Sequence, residues 1–112
     1  MSDNMAQDYI LMHDRSENGM IAINKAVFQA ITEISIKDIE NAQPLPTNPF
    51  SKPIQIKIVD NKLQIVADVK VVYGANVSTT CEQVQNKIYE NITFMTGYKP
   101  SEVTVNVVGF SI

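Results

Sequence analysis

Val69–Lys70–Val71–Val72–Tyr73–Gly74 closes an alternating apolar run at a glycine, and the residues after it decide the fold. Val77, Cys81, Val84, Ile88, Ile92 and Met95 follow at intervals of four, three, four, four and three, the spacing of one buried helical face. Ser78 or Thr79 is expected to open this helix, because Thr79 and Glu82 stand at capping-box spacing. Gly97 is expected to close it as a left-handed terminal residue. Val103, Val105 and Val107 then alternate with Thr104, Asn106 and Val108, the period of a strand with its valines inward. Strand, glycine, helix, glycine, strand is a β-α-β unit.

Upstream of this unit, Ile54, Ile56 and Ile58 alternate as a strand, and Asp60–Asn61 turns the chain. The partner strand carries Leu63, Ile65, Ala67, Val69, Val71 and Tyr73 on its inward side. Earlier still, Gly19–Met20–Ile21–Ala22–Ile23 is a short strand, and Asn24 is a fitting N-cap for a first helix. That helix should bury Val27, Ala30, Ile31 and Ile34, with Phe28 beside the stripe, and end near Ser35 to Lys37. The prolines of residues 44–53 mark an extended connector, and Ile36 to Asn41 could add a short strand before it. Residues 1–18 lack periodicity and are expected to form a flexible N-terminal tail, apart from the short apolar patch Tyr9–Ile10–Leu11–Met12.

The expected fold is therefore α/β of the α+β kind. It is one small domain over residues 19–112, ordered β-α-β-β-α-β. Two helices pack on one face of a three- to four-stranded mixed sheet, because each element has one apolar side. A length of 112 residues suits a single core.

Composition narrows function by exclusion. A net charge of −3 without a basic cluster argues against a nucleic-acid partner. A single cysteine forms no internal disulfide, the start of the chain is polar and acidic, and no apolar run approaches the roughly 18 residues of a membrane span. These features point to the cytoplasm. Catalysis would need a nucleophile with a base, paired carboxylates or a metal set, and one histidine with one cysteine supplies none of them. His13 beside Asp14 has no companion nucleophile, and Asp38 and Glu40 point apart if extended. Cys81 lies on the buried stripe and reads as a core thiol. Gly74–Ala75–Asn76 lacks the glycine pattern and lysine of a phosphate loop. No catalytic residue, cofactor site or metal site is assigned.

Several segments together resemble the alkaline-shock, or Asp-twenty-three/Gls-twenty-four, family of Gram-positive and related bacteria. They are Val71–Val72–Tyr73–Gly74, Glu82–Gln83–Val84–Gln85, Phe94–Met95–Thr96–Gly97 and the strand from Val103 to Gly109, with Gly19–Met20–Ile21–Ala22–Ile23 as the opening. The likeness covers about residues 19–110, and the combination is more specific than any one piece. The chain departs from the family where a Gly-Val usually follows the first helix; here Ile36–Lys37–Asp38–Ile39 leads into the prolines. The resemblance implies a non-enzymatic cytoplasmic scaffold or adaptor linked to cell-envelope stress or homeostasis. It would act by self-association as a homo-oligomer or by binding a membrane-anchored protein. The alternative is a regulatory module that binds a lipid-metabolism enzyme or a small acidic metabolite.

One surface is singled out for such contacts. With both helices on one sheet face, Val66, Val72 and Val108 stand on the other among polar residues, and Phe110 adds apolar surface at its edge. Isolated surface valines also suit strands for local reasons, so the pattern alone leaves both readings open.

Overall fold

The computed structural model describes residues 6–13 and 18–112. The elements run β1 (Tyr9–His13), β2 (Met20–Asn24), α1 (Lys25–Lys37), β3 (Ala42–Pro44), β4 (Ile54–Val59), β5 (Lys62–Val72), α2 (Val77–Thr96) and β6 (Glu102–Ser111). β5 is the centre of a four-stranded sheet. β6 runs parallel along one of its edges, while β4 and β3 lie end to end, antiparallel, along the other. The α+β class and the β5–α2–β6 crossover are as the sequence implies.

The reason β5 is central is its burial pattern. Leu63, Ile65, Ala67, Val69 and Val71 are fully buried on the helix side, while Gln64, Val66, Asp68, Lys70 and Val72 face the other way. Asp60 and Asn61 both adopt positive φ, 53° and 57°, which gives the β4–β5 hairpin a turn whose twist matches its strands. α1 packs on α2, β3 and β4, and α2 packs on β6. The helices thus form one layer over one sheet face.

Five details differ from the sequence reading. First, β2 leaves the main sheet and pairs with β1 in a separate antiparallel ribbon. β1 arises inside the stretch expected to be a tail. Ile10 is fully buried there, Met12 packs on the core, Gln7 N donates to Ile58 O at 2.8 Å, and Asn61 holds both the amide and the carbonyl of Leu11. Asp14, the neighbour that drew attention to His13, lies outside the described residues. Second, the short extra strand is Ala42–Pro44, and Ile36 belongs to α1.

Third, α1 is turned about its axis. It buries Phe28, Ile31, Thr32, Ser35 and Ile36, and leaves Val27 at 42% and Ile34 at 58% exposure. Phe28 and Ile36 carry more apolar area into the core than Val27 and Ala30 would. The polar pair that comes with them is satisfied internally, since Thr32 Oγ1 donates to Phe28 O at 2.8 Å and Ser35 Oγ to Ile31 O at 2.7 Å. Fourth, the N-cap of α2 is Asn76, whose side chain accepts from Thr79 N at 2.8 Å. Thr79 is therefore the third helical residue and cannot be the cap. Val77 and Met95, expected on the buried stripe, are 38% and 61% exposed at the two helix ends, and Cys81, expected there too, is half-buried while Thr80 takes the buried place. Gly97 closes the helix with φ 78°, as read.

Fifth, β6 carries a bulge. Val69 pairs with Val107 but Lys70 pairs with Gly109, so Val108 is the extra residue. Phe110 then falls beside Val71, on the helix side, within the strand instead of past its end.

Candidate interaction surface

The open sheet face holds three of the four residues singled out. Val66 sits between Gln55 of β4 and Thr104 of β6, Val72 pairs with Ser111, and Val108 protrudes at the bulge, 52% exposed. Six residues of strand, roughly 20 Å, separate Val66 from Val72. Asp68 and Lys70 intervene on the same face, and Asn106 Nδ2 donates to Asp68 Oδ1 at 3.2 Å. The valines are thus set among polar groups. Phe110 meets the Tyr73 ring edge-on, with centroids 6.3 Å apart and planes at 81°, on the opposite side of the sheet.

A more continuous apolar surface lies on the helices. The rotation of α1 leaves Val27, Ala30 and Ile34 outside, where with Ile31 and with Met95 and Thr96 of α2 they line a groove of about 420 Å³. Thr96 Oγ1, the one side-chain hydroxyl in its wall, is engaged with Ile92 O at 2.6 Å. The groove therefore offers apolar contact and little for a charged small molecule. The signal for it was in the sequence: α1 has Ala26, Val27, Phe28, Ala30, Ile31, Ile34 and Ile36, more apolar residues than one buried stripe accommodates. Assigning one face to the core left a second face to be explained.

A smaller notch of about 220 Å³ lies where the start of β6 meets α2, bounded by Gln85, Asn86 and Tyr89 on the helix and by residues 100–103. Gln85 Nε2 crosses to donate to Val103 O at 2.8 Å.

Titratable groups offer little chemistry. Among the described residues no group of three His, Cys, Asp or Glu side chains is placed to hold a metal ion. Cys81 is half-buried at the first turns of α2, and desolvation pushes its thiol pKa up, away from a reactive thiolate. Tyr98 is likewise raised by desolvation, and its hydroxyl donates to Asn61 O, which ties the end of α2 to the β4–β5 turn.

By fold and surface, this is a small α+β domain whose distinguishing feature is an uncovered apolar helix face. The family model of the Asp-twenty-three family, described as having a cell envelope-related function, matches residues 13–112. The chain belongs to that family. No curated protein matches the chain. No helix among the described residues is long and apolar enough to cross a membrane.

Proposed function

We propose that the domain is a non-enzymatic adaptor of the cell envelope, working from the cytoplasmic side by holding an apolar segment of a membrane-anchored protein in the α1–α2 groove. The observation that carries this reading is the outer face of α1. Ile34 at 58%, Val27 at 42% and Met95 at 61% exposure form one apolar surface with the groove between them. Such a surface costs solubility when bare and is the usual shape of a site for an amphipathic helix. The envelope-related family supplies the setting. A small acidic metabolite is the weaker reading, because the groove wall has no free polar group to orient a carboxylate or phosphate.

The test is photo-crosslinking in cells, with the reactive side chain placed at Ile34 or, as control, at Gln29 on the polar side of the same helix. A membrane protein crosslinked from Ile34 and absent from Gln29, together with loss of membrane-fraction recovery in Val27→Lys/Ile34→Lys, is the expected result. Identical crosslinks from both positions and unchanged fractionation of the double variant would sink the reading.

A further inference from the structure

The two long edges of the sheet are treated differently by the chain itself. On one side the edge is broken between β4, six residues long, and β3, three residues long, and Gln7 bridges to Ile58. On the other side, among the described residues, β6 pairs with β5 alone. The hydrogen bonds show which of its groups are left over. Asp68 N and Val72 N donate toward the β4/β3 side, to Pro53 O and Asn41 O, while Tyr73 N donates to Ser111 O on β6. Odd-numbered residues of β5 thus bond toward β6. With Ile65 beside Val103 and Val69 beside Val107, the even residues of β6 return those bonds up to the bulge. Val103, Val105 and Val107 turn their amides and carbonyls outward, and the Gln85 contact to Val103 O fits that orientation.

Two further features mark this edge. Natural sheet edges are guarded by charges, prolines, bulges or short length, and the one bulge of β6 lies at its far end, at Val108. From Glu102 to Ser111 this edge is ten residues long with one charge and no proline. The side chains of Val103, Val105 and Val107 face the core yet are only half-buried, whereas their neighbours on β5 are completely covered. The helix layer stops short of them.

We propose that β6 is a self-pairing edge, joining two copies of this chain antiparallel about a two-fold axis at Val105. That register is the one in which all three outward residues are used: Val105 bonds its own mate, and Val103 bonds the partner's Val107 in both directions. It makes six backbone hydrogen bonds, two of them to Val103 carbonyls that also accept from Gln85 Nε2 through their other lone pair, and merges the half-exposed valines into one apolar row. It sets Thr104 opposite the partner's Asn106 on the open face and places Glu102 away from its own mate. The same operation carries the exposed Phe110, on the helix side at one end of the edge, toward the partner's notch beside Tyr89 at the other end. An isologous interface requires this kind of self-complementarity. The bulge at Val108 lies beyond the outward trio and leaves it regular. This proposal is independent of the α1 groove.

Charges across the junction test the register. Thr104→Lys with Asn106→Lys sets lysine against lysine twice, at positions outside the core. Thr104→Glu with Asn106→Lys sets opposite charges there and keeps the same lysine beside Asp68 in both variants. In sedimentation equilibrium the wild type is expected to dimerise within the range up to about 100 µM. The lysine pair should weaken the dimer about tenfold in low salt, and the lysine–glutamate pair should return it to within about threefold of wild type. Amide exchange at Val105 and Val107 should be slow in the dimer and quicken on dilution, with circular dichroism melts confirming that the variants stay folded. A monomeric wild type at that concentration overturns the proposal. So does a dimer indifferent to the lysine pair, and so does a dimer disrupted by Ile34→Lys alone, which would place the contact on the helices.

Discussion

Phe28 and Ile34 together test which face α1 turns to the sheet. Phe28 is fully buried in one core cluster with Ile31, Ile36 and the strands beneath, while Ile34, six residues on, is 58% exposed on the outer face. Truncating a buried phenylalanine to alanine costs about 3–5 kcal/mol, from lost transfer energy and the cavity left behind. The hydrogen bond from Thr32 Oγ1 to the Phe28 carbonyl survives the change, so the loss is packing alone. Ile34→Ala removes little buried area and gains roughly 0.4 kcal/mol of helix propensity, so its net effect should fall within about 1 kcal/mol of zero. For a chain of this length about 1 kcal/mol corresponds to roughly 3–6 °C of melting temperature. Thermal and urea denaturation followed at 222 nm should therefore separate the two variants by ~10 °C or more. Since a domain of this kind holds only about 5–15 kcal/mol in total, Phe28→Ala should leave little margin. Equal destabilisation by the two changes, or a larger effect at Ile34, would show that α1 presents its other face to the sheet and that the groove does not exist.

Ile88, fully buried at the middle of α2, should cost about 2–5 kcal/mol on change to alanine, read from the same melts. Asn76→Ala removes the acceptor for Thr79 N and should cost about 1 kcal/mol, whereas Ser78→Ala should cost only a few tenths. The Cys81 thiol, its pKa raised by burial, should alkylate slowly at neutral pH in the native protein and quickly in urea. The sign follows for stability too: a thiol whose folded pKa is raised favours folding at lower pH, and that contribution fades as pH climbs through the unfolded value of about 8.5 and beyond. Cys81→Ala should therefore flatten the alkaline side of the stability profile; an unchanged slope would remove Cys81 as a cause.

What could be read from the sequence was what a single period dictates. β5 alternates over its full length, and α2 keeps one stripe through Val84, Ile88 and Ile92, so a parallel β5–α2–β6 crossover followed from local rules alone. Legibility failed where two solutions satisfied the same local rule. In α1 the stripe of Val27, Ala30, Ile31 and Ile34 and the stripe of Phe28, Ile31, Ser35 and Ile36 are both helical. Only the packing area of Phe28 and the internal bonds of Thr32 and Ser35 decide between them, and polar residues are poor advertisements for a core. The bulge at Val108 was hidden for a similar reason, because an unbroken run of alternation gives no sign of the one residue that slips out of register. That slip puts Phe110, expected at the edge of the open face, on the helix side, apart from Val66, Val72 and Val108.

α1 lies over β3 and β4, and the body of α2 stands between it and β6. A partner segment in the α1 groove and a second copy along β6 would therefore occupy different sides of the helix layer. A two-fold pair joined at Val105 would carry two grooves, one on each outer flank, and each pair would hold two copies of an anchor protein that has one apolar segment. Linking two modest sites in this way raises apparent affinity through effective concentration, provided both can be engaged together. The edge variant Thr104→Lys/Asn106→Lys separates the two levels. It should leave groove crosslinking from Ile34 intact in the monomer while lowering retention of the protein at a surface that displays many copies of the anchor. Loss of the Ile34 crosslink itself in that variant would mean that the groove forms only in the pair, and the two surfaces would then have to be one site.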